Sequence, residues 1–464
     1  MSKISCFVLL VMGLAFSHCA NPGMQLRISD KGLNHANKVL KKVVENQVKA
    51  LSLPNISGEE DIKGKLTYEV SKIKVEEYQI IDSSLTFVPN VGVQMNIINS
   101  KAIVDSTWSV KHWVIKATEK TAIEISGASI VVVFKISKTD TGSPLLSLHS
   151  CHADIQKVSI KSNKAIKLMQ EKFEKGKLED YVRELLNSKI CSAVTEESKK
   201  WADFVNAFPV QHEIDQYTEI DYQLVNPPVF TDRYADVEMK GTFYALNHRT
   251  EPAFAPKPFT FSDAKDFMLA CGVSDYALNT LSEAYFSANA LKITFTEEQI
   301  NHVLKELYGV SQNVSEARGS LRATKAPVVT LKPQNMTVEL AGQIKIAFKE
   351  AEKHTSSEFT VDIASSISAN MSISEENSKV TITGDLTLNS LALQVTSEDK
   401  TQASKFAEVE KSVKSFIETQ FMAQLNGELK HGISFSNPNF IILNNLHFYT
   451  HEGFIQINTD IGRL

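Results

Sequence analysis

The sequence predicts an α+β protein of two domains, each pairing a long antiparallel β-meander with an amphipathic helix. Three observations carry this. The 464 residues exceed what one hydrophobic core organises, since domains run about 100–200 residues. Hydrophobic periodicity changes from helical spacing to strict alternation and back again in each half. Between the halves, three prolines fall within residues 252–258 (Pro252, Pro256 and Pro258), which makes a stiff extended connector.

Taken in order, residues 1–20 read as a secretory leader. Lys3 gives the charged start, Cys6 to Phe16 the apolar stretch, and Ser17, Cys19 and Ala20 the small residues before cleavage. The apolar run is shorter than the roughly 20 residues that span a bilayer. A secreted, extracellular protein is expected.

Asp30 to Leu51 follows as a helix. Leu33, Ala36, Leu40, Val43, Val44 and Leu51 recur at three- and four-residue spacing, and Lys38, Lys41, Lys42, Glu45 and Lys49 fill the opposite face. Ser29 or Asp30 supplies the N-cap and Pro54 the stop. From Gly64 to about Ser162 the period is two, as in Ile130-Val132-Phe134-Ile136, with turns at Pro89-Asn90 and Thr141–Pro144. Asn163 to Ala207 returns to helical spacing. Ile166, Met169, Phe173, Tyr181, Val182, Leu185, Leu186 and Cys191 line one face, and Gly176 kinks or divides it. This puts Cys191 in or just after a helix and Cys151 at a strand end.

Short strands around Asp236–Tyr244 precede the proline-rich connector. Beyond it, a short helix is expected at Asp275–Ala288, and strands at Lys292–Phe295 and across Val328–Val395. A helix follows at Gln402–Leu429 with Phe406, Val409, Val413, Phe416, Ile417 and Leu425 as its stripe. Final strands fall at Phe440–Leu443 and Phe454–Ile457. The halves share a pattern, not a sequence repeat.

Hydrophobic content of 43% and charged content of 22% are ordinary for a globular protein. A formal charge of −5 argues against nucleic acid as a partner. Once Cys6 and Cys19 leave with the leader, three cysteines remain. Export permits a disulfide, and Cys151–Cys191 is the expected one, with Cys271 in Phe267–Val273 a buried free thiol. An intermolecular bridge through Cys271 is the competing reading. Sequons at Asn55, Asn313, Asn335 and Asn370 offer sites for glycan in an exported chain.

Catalytic grammar is missing. The chain has no His-Glu-x-x-His, no Gly-x-Ser-x-Gly and no phosphate-cradling loop. His149 and His152 flank Cys151, but a disulfide would occupy that sulfur. His431, His447 and His451 are spaced too widely for a local zinc motif. Neither an enzyme nor a metal nor a cofactor is expected. What remains is apolar surface, and each helical stripe has two readings. It is core packed on the sheet, or it is one wall of a gap that a lipid tail fills.

Several segments are recognisable. Asn21-Pro-Gly23, Arg27-Ile-Ser-Asp-Lys-Gly-Leu33 and Phe87-Val-Pro-Asn-Val-Gly92 resemble the bactericidal/permeability-increasing protein and lipopolysaccharide-binding protein family. So do Ile220-Asp-Tyr-Gln-Leu-Val225, Met239-Lys-Gly-Thr-Phe-Tyr244, Asn247-His-Arg249, Val273-Ser-Asp-Tyr276 with Asn279-Thr280, and Ala290-Leu-Lys292. Ser150-Cys151 and Ile190-Cys191 fall where that family's single disulfide does. The resemblance covers residues 21 to about 300 and thins beyond.

It implies an elongated two-domain boomerang of two highly twisted antiparallel barrels with long amphipathic helices, joined by a central sheet and the proline-rich linker. The implied division is 21–245 for an N-terminal lipid-binding barrel, 246–262 for the linker and 263–464 for a divergent C-terminal lipid-binding barrel. The implied function is phospholipid binding or transfer by a monomer, with an innate-immune role. Lipopolysaccharide, bacterial surfaces and lipoprotein surfaces are the further partners. The stripe residues Leu33, Ala36, Leu40, Val43, Val44, Met169, Phe173, Val182, Leu185, Leu186, Phe406, Val409, Val413, Phe416 and Ile417 become candidate acyl-chain contacts.

Lys63, Lys65, Lys111, His112 and Lys116, with Trp108 and Trp113, become the candidate headgroup patch at the first barrel's tip. Glu59, Glu60 and Asp61 make that tip more acidic than capture of a bisphosphorylated glycolipid favours.

Overall fold

A computed structural model describes residues 21–51, 53–61, 64–170, 177–262, 264–308, 314–350, 355–376, 379–396, 404–436 and 442–462. The leader, Lys63, Phe173, Gly176 and Asn313 lie outside the described residues.

A six-stranded sheet joins the halves. Met24–Ser29 lies between Tyr234–Met239 and Leu269–Ser274, antiparallel to both. Phe454–Ile461 and then Leu443–His451 extend the sheet on the second side. The first half adds a curled sheet in which Ile56–Asp61, Lys65–Gln79, Gly92–His112, Ile115–Lys138 and Pro144–Ile160 pair in succession. Asp82–Val88 pairs alongside Gly92–His112. The second half repeats this with Lys292–Phe295, Val314–Ala323, Asn335–Glu350, Thr355–Glu376, Lys379–Val395 and Ile433–Ser436. Strands as long as Ile115–Lys138 carry register shifts along their ladders, as at Ile97/Ser100 and Val133/Phe134. Such bulges bend and twist a sheet until it curls.

The opening helix Asp30–Ala50 is capped by Ser29, whose Oγ accepts the Gly32 N–H, and it ends at Leu51 before Pro54. The predicted helical region after the first meander is Lys164–Gln170 and Lys177–Asn206. Asp275–Ser287 forms as expected, capped by Ser274. The last helical region begins at Phe406 and is not one regular helix. Phe406–Phe416 passes through a π-turn, Ile417–Phe421, into Met422–His431. The extra residue in that turn shifts the helix phase, so the apolar stripe continues through Phe421 and Met422.

Two expectations need correction, and two features were not foreseen. Cys151 is not at a strand end. It sits inside Pro144–Ile160 opposite Val132, because the ladder continues on both sides of it. A helix at Glu297–Tyr308 was not foreseen, although its signals are present. Thr296 and Gln299 cap each other reciprocally through the Gln299 N–H and the Thr296 N–H, and Ile300, Val303 and Leu304 are buried. The strand expected at Phe440–Leu443 starts at Leu443 and runs to His451, with 440 and 441 outside the described residues.

Lastly, the proline-rich linker does not hang free. Phe259 stacks on Phe454 at 4.7 Å between ring centres, and Phe261 lies 5.0 Å over the Arg27 guanidinium. Ser262 exchanges hydrogen bonds with Gln456. Gly272 makes room for this strap, since a Cβ there would lie 2.5 Å from the Phe259 ring.

Candidate functional site

In the first half, helix Lys177–Asn206 lies along strand Pro144–Ile160. The helices Lys164–Gln170 and Lys177–Asn206 turn Ile166, Met169, Leu178 and Val182 into a cluster with Leu66, Val70, Trp108, Val110 and Ile155. Leu186 and Ile190 pack on its margin, and Leu185 is half-buried. The disulfide Cys151–Cys191 fixes the same helix, with the Cα atoms 5.7 Å apart. Further along, Trp201 meets Phe134 at 6.0 Å, and Asn206 accepts the Leu146 N–H. The opening helix serves a separate cluster. Leu33 is buried with Ile80, Phe87, Met95 and Phe230, while Ala36, Leu40 and Val44 pack against them. Val43 does not join. It is 39% exposed, because it lies beside the inward stripe rather than on it.

The second half assembles the same arrangement from Phe406–Phe416, the π-turn and the unforeseen helix. Val409, Val413, Phe416 and Ile417 are buried with Ile300, Val303, Leu304, Ile344, Phe348 and Phe359, and Phe406 packs at the margin. Phe416 meets the edge of Phe295 at 5.5 Å.

The tip of the first barrel is the hairpin that pairs Lys111 with Lys116 and His112 with Ile115. Its turn is Trp113-Val114. Trp113 is 70% exposed, Val114 96% and Ile115 55%. Trp113 has φ 55, and Gly64 at φ +113 makes room for its indole, since a Cβ there would lie 2.3 Å from Nε1. Lys111 and Lys116 are exposed on either side.

His112 belongs to the core, not to the headgroup patch. Alternation along the strand buries Trp108, Val110 and His112 together. Its Nε2 is enclosed with no hydrogen-bond partner among the described residues. Trp108 likewise donates inward, from Nε1 to Ser106 at 2.9 Å. Lys65 is held by Glu59 at 2.7 Å. Glu60 accepts a hydrogen bond from Tyr181, which is paired with Tyr68 at 2.6 Å. Burial and these partners raise the Tyr181 phenol well above its usual range. The apolar turn residues Val114 and Ile115 were missed as site residues. Their signal was an apolar dipeptide between two lysines at a point where a hairpin must reverse.

Beneath the linker, Arg27 makes a two-point ion pair with Asp236, 2.7 Å at each contact, and stacks on Tyr234 at 3.8 Å. Cys271 is unpaired, and burial of its sulfur pushes the thiol up to about 11. Asn55, Asn335 and Asn370 are all exposed, and Asn55 donates to Glu69.

Two family models account for most of the chain. One, described as the LBP / BPI / CETP family N-terminal domain, matches residues 32–200. The C-terminal domain of the same family matches 212–308 and 316–462. The family likeness therefore runs well past residue 300. It was hard to see there because the second meander alternates small Ser and Thr with aliphatics and carries few distinctive motifs.

The human BPI fold-containing family C protein is 25% identical over 473 residues, covering 98% of this chain and 92% of the relative. The bactericidal permeability-increasing protein of Sebastes schlegelii is 25% identical, covering 84% of this chain and 85% of the relative. Human lipopolysaccharide-binding protein is 23% identical, with 95% and 94% covered. A crystal structure of lipopolysaccharide binding protein superposes with a TM-score of 0.59 at 20% identity, over 96% of this chain and 100% of that one. The fold is thus the two-domain, twin-barrel α+β boomerang, and the chain belongs to the LBP/BPI/CETP family.

Proposed function

We propose that the protein is a secreted lipid carrier, in which each barrel holds phospholipid acyl chains between its helices and its curled sheet. One observation carries the reading. In both halves, amphipathic helices lie across a curled sheet with their apolar residues turned inward. Acyl contacts are assigned to Leu33, Ala36, Leu40 and Val44, to Met169, Val182, Leu185 and Leu186, and to Phe406, Val409, Val413, Phe416 and Ile417. Enclosing a chain contributes about 0.8 kcal/mol per CH₂, so apolar walls suffice for affinity.

The same reading takes residues 21–245 and 263–464 as the two lipid-binding units and 246–262 as their linker. It takes the protein as a monomer and a non-enzyme, cleaved after residue 20 and glycosylated at Asn55, Asn313, Asn335 and Asn370. The Trp113 turn meets the lipid surface from which chains are drawn. That role is supported by three consecutive exposed apolar residues, Trp113 to Ile115, between two lysines.

Lipid extracted from the purified native protein and identified by mass spectrometry tests the carrier reading. Absence of phospholipid, together with no uptake from liposomes, rejects it.

Lipopolysaccharide capture at the tip is the second reading, favoured by Lys111 and Lys116 beside Trp113 and by the name of one relative, human lipopolysaccharide-binding protein. The Glu59–Lys65 pair reduces the cations left for phosphate. Salt-sensitive binding of lipid A, weakened by Lys111→Ala with Lys116→Ala, supports this reading. No binding at low ionic strength rejects it.

A further inference from the structure

The opening helix carries a second feature besides its apolar stripe. Lys31, Lys38, Lys42 and Lys49 fall within an arc of roughly 40° on the helix, opposite Leu33, Leu40 and Val44. The four span about 27 Å at 1.5 Å per residue and are all exposed. Lys31 is paired with Asp460 at 2.9 Å. Lys38, Lys42 and Lys49 form no ion pair among the described residues.

Glu45, on the same helix between Lys42 and Lys49, is turned aside, with its Oε1 accepting the Ile80 N–H at 2.8 Å. A chain of formal charge −5 thus sets Lys38, Lys42 and Lys49, without ion pairs among the described residues, in a straight row on one helix. On one flank Val43 is 39% exposed and Val39 half-buried. An apolar shoulder beside a cationic row fits a lipid interface better than a soluble polyanion, which gains nothing from it. The apolar stripe is already spent on the barrel, so this face adheres by charge and does not insert.

We propose that the Lys38–Lys42–Lys49 ridge docks the protein on a membrane bearing anionic phospholipid. The ridge lays the first barrel along the surface, while the Trp113 tip is a separate contact at the barrel's end. The idea extends the carrier reading but stands or falls separately from it.

The test is co-sedimentation of the full chain with vesicles of phosphatidylcholine alone or mixed with phosphatidylglycerol, at low and high salt. Binding to the mixed vesicles should be tighter by roughly tenfold or more, at about 1 kcal/mol per lysine near the surface, and should fade with salt. Lys38→Gln, Lys42→Gln and Lys49→Gln together should remove that preference, whereas Lys345→Gln with Lys349→Gln, exposed on the second barrel, should leave it.

A triple variant that binds like the wild type overturns the proposal. So does a wild type indifferent to phosphatidylglycerol, which needs no variant to observe, or a ridge that prefers dextran sulfate to vesicles. Lipid content measured on the same preparations separates the two ideas. Retained lipid without ridge binding rejects only the ridge, and ridge binding by a lipid-free protein rejects only the carrier.

Discussion

Cys151 and Cys191 join the interior of a strand to the interior of a helix, 40 residues apart in sequence and with Cα atoms 5.7 Å apart. The bond therefore holds helix Lys177–Asn206 partway along its length. Below it the helix covers the apolar cluster, and above it the helix reaches Phe134 and Leu146. Replacing both cysteines with serine should cost about 4 kcal/mol for a closed loop of this length. Urea unfolding followed by tryptophan fluorescence, which reports the first barrel because Trp108, Trp113 and Trp201 all lie there, and by far-UV circular dichroism, which reports both barrels, should show the first barrel melting early. A second-barrel transition that shifts equally would contradict this local role.

The tip should be separable from stability. Trp113→Ala and Val114→Asp alter exposed side chains, so each should change unfolding free energy by no more than about 0.5 kcal/mol. Vesicle affinity should nonetheless drop roughly tenfold, since Trp113 and Val114 both expose apolar area at the turn. Unchanged vesicle binding by both variants removes the tip from the lipid contact.

The Arg27–Asp236 pair is enclosed by Tyr234 and Phe261. Burial alone would lower the Arg27 pKa, but hydrogen bonding to Asp236 reverses that. Asp236→Ala should cost about 1.5–3 kcal/mol, because the part-buried guanidinium loses its counter-charge and both hydrogen bonds. Equilibrium unfolding in urea measures it, and a loss below about 1 kcal/mol would mean that water reaches the site.

His451 gives the central sheet a pH response. Its ring stacks on Phe454 at 4.6 Å and faces Ser262 and Tyr449. Burial lowers its pKa from the ordinary value despite a hydrogen bond to Gln456 that acts the other way. The unfolded chain then binds the proton more readily, so stability is full above about pH 6.5 and declines as pH falls through the folded pKa. Melting temperatures recorded across that interval should decline less in His451→Phe than in the wild type. Parallel curves would assign the response to other groups.

Removing the strap's anchors should loosen the linker. Phe259→Ala should cost about 2 kcal/mol, short of the 3–5 kcal/mol for a fully enclosed Phe. Limited proteolysis should then cut within residues 252–262 faster than in the wild type. An unchanged cleavage rate would show that Phe261 and Ser262 hold the strap alone.

Much of this was legible in the chain, and the rest was not for identifiable reasons. Alternation gave the first meander and helical spacing gave Asp30–Ala50, because both periods follow directly from backbone geometry. The same alternation could have warned that His112, two residues from Val110 and four from Trp108, points inward. Its polarity suggested otherwise, and position overrode polarity. The helix Glu297–Tyr308 was overlooked for want of length, although Thr296 and Gln299 form a reciprocal cap. The linker's prolines read as stiffness, which they provide, but nothing local in Phe259 or Phe261 reveals that Gly272 leaves room for them. That match is between residues far apart in the chain, and only the fold brings them together.

The sheet that joins the halves also sets an order of events during synthesis. Met24–Ser29 leaves the ribosome early, yet its partners Tyr234–Met239 and Leu269–Ser274 come more than two hundred residues later. The latch between Lys31 and Asp460 links residues 429 apart. Such distant pairings are slow to form. The first barrel's strands can zip locally while translation continues, but the opening strand stays an unpaired edge until the middle of the chain emerges. The edge then left open, that of Leu269–Ser274, is sealed only when Phe454–Ile461 docks. A nascent chain halted before that strand would present a sticky edge, and chaperone capture should be strongest there.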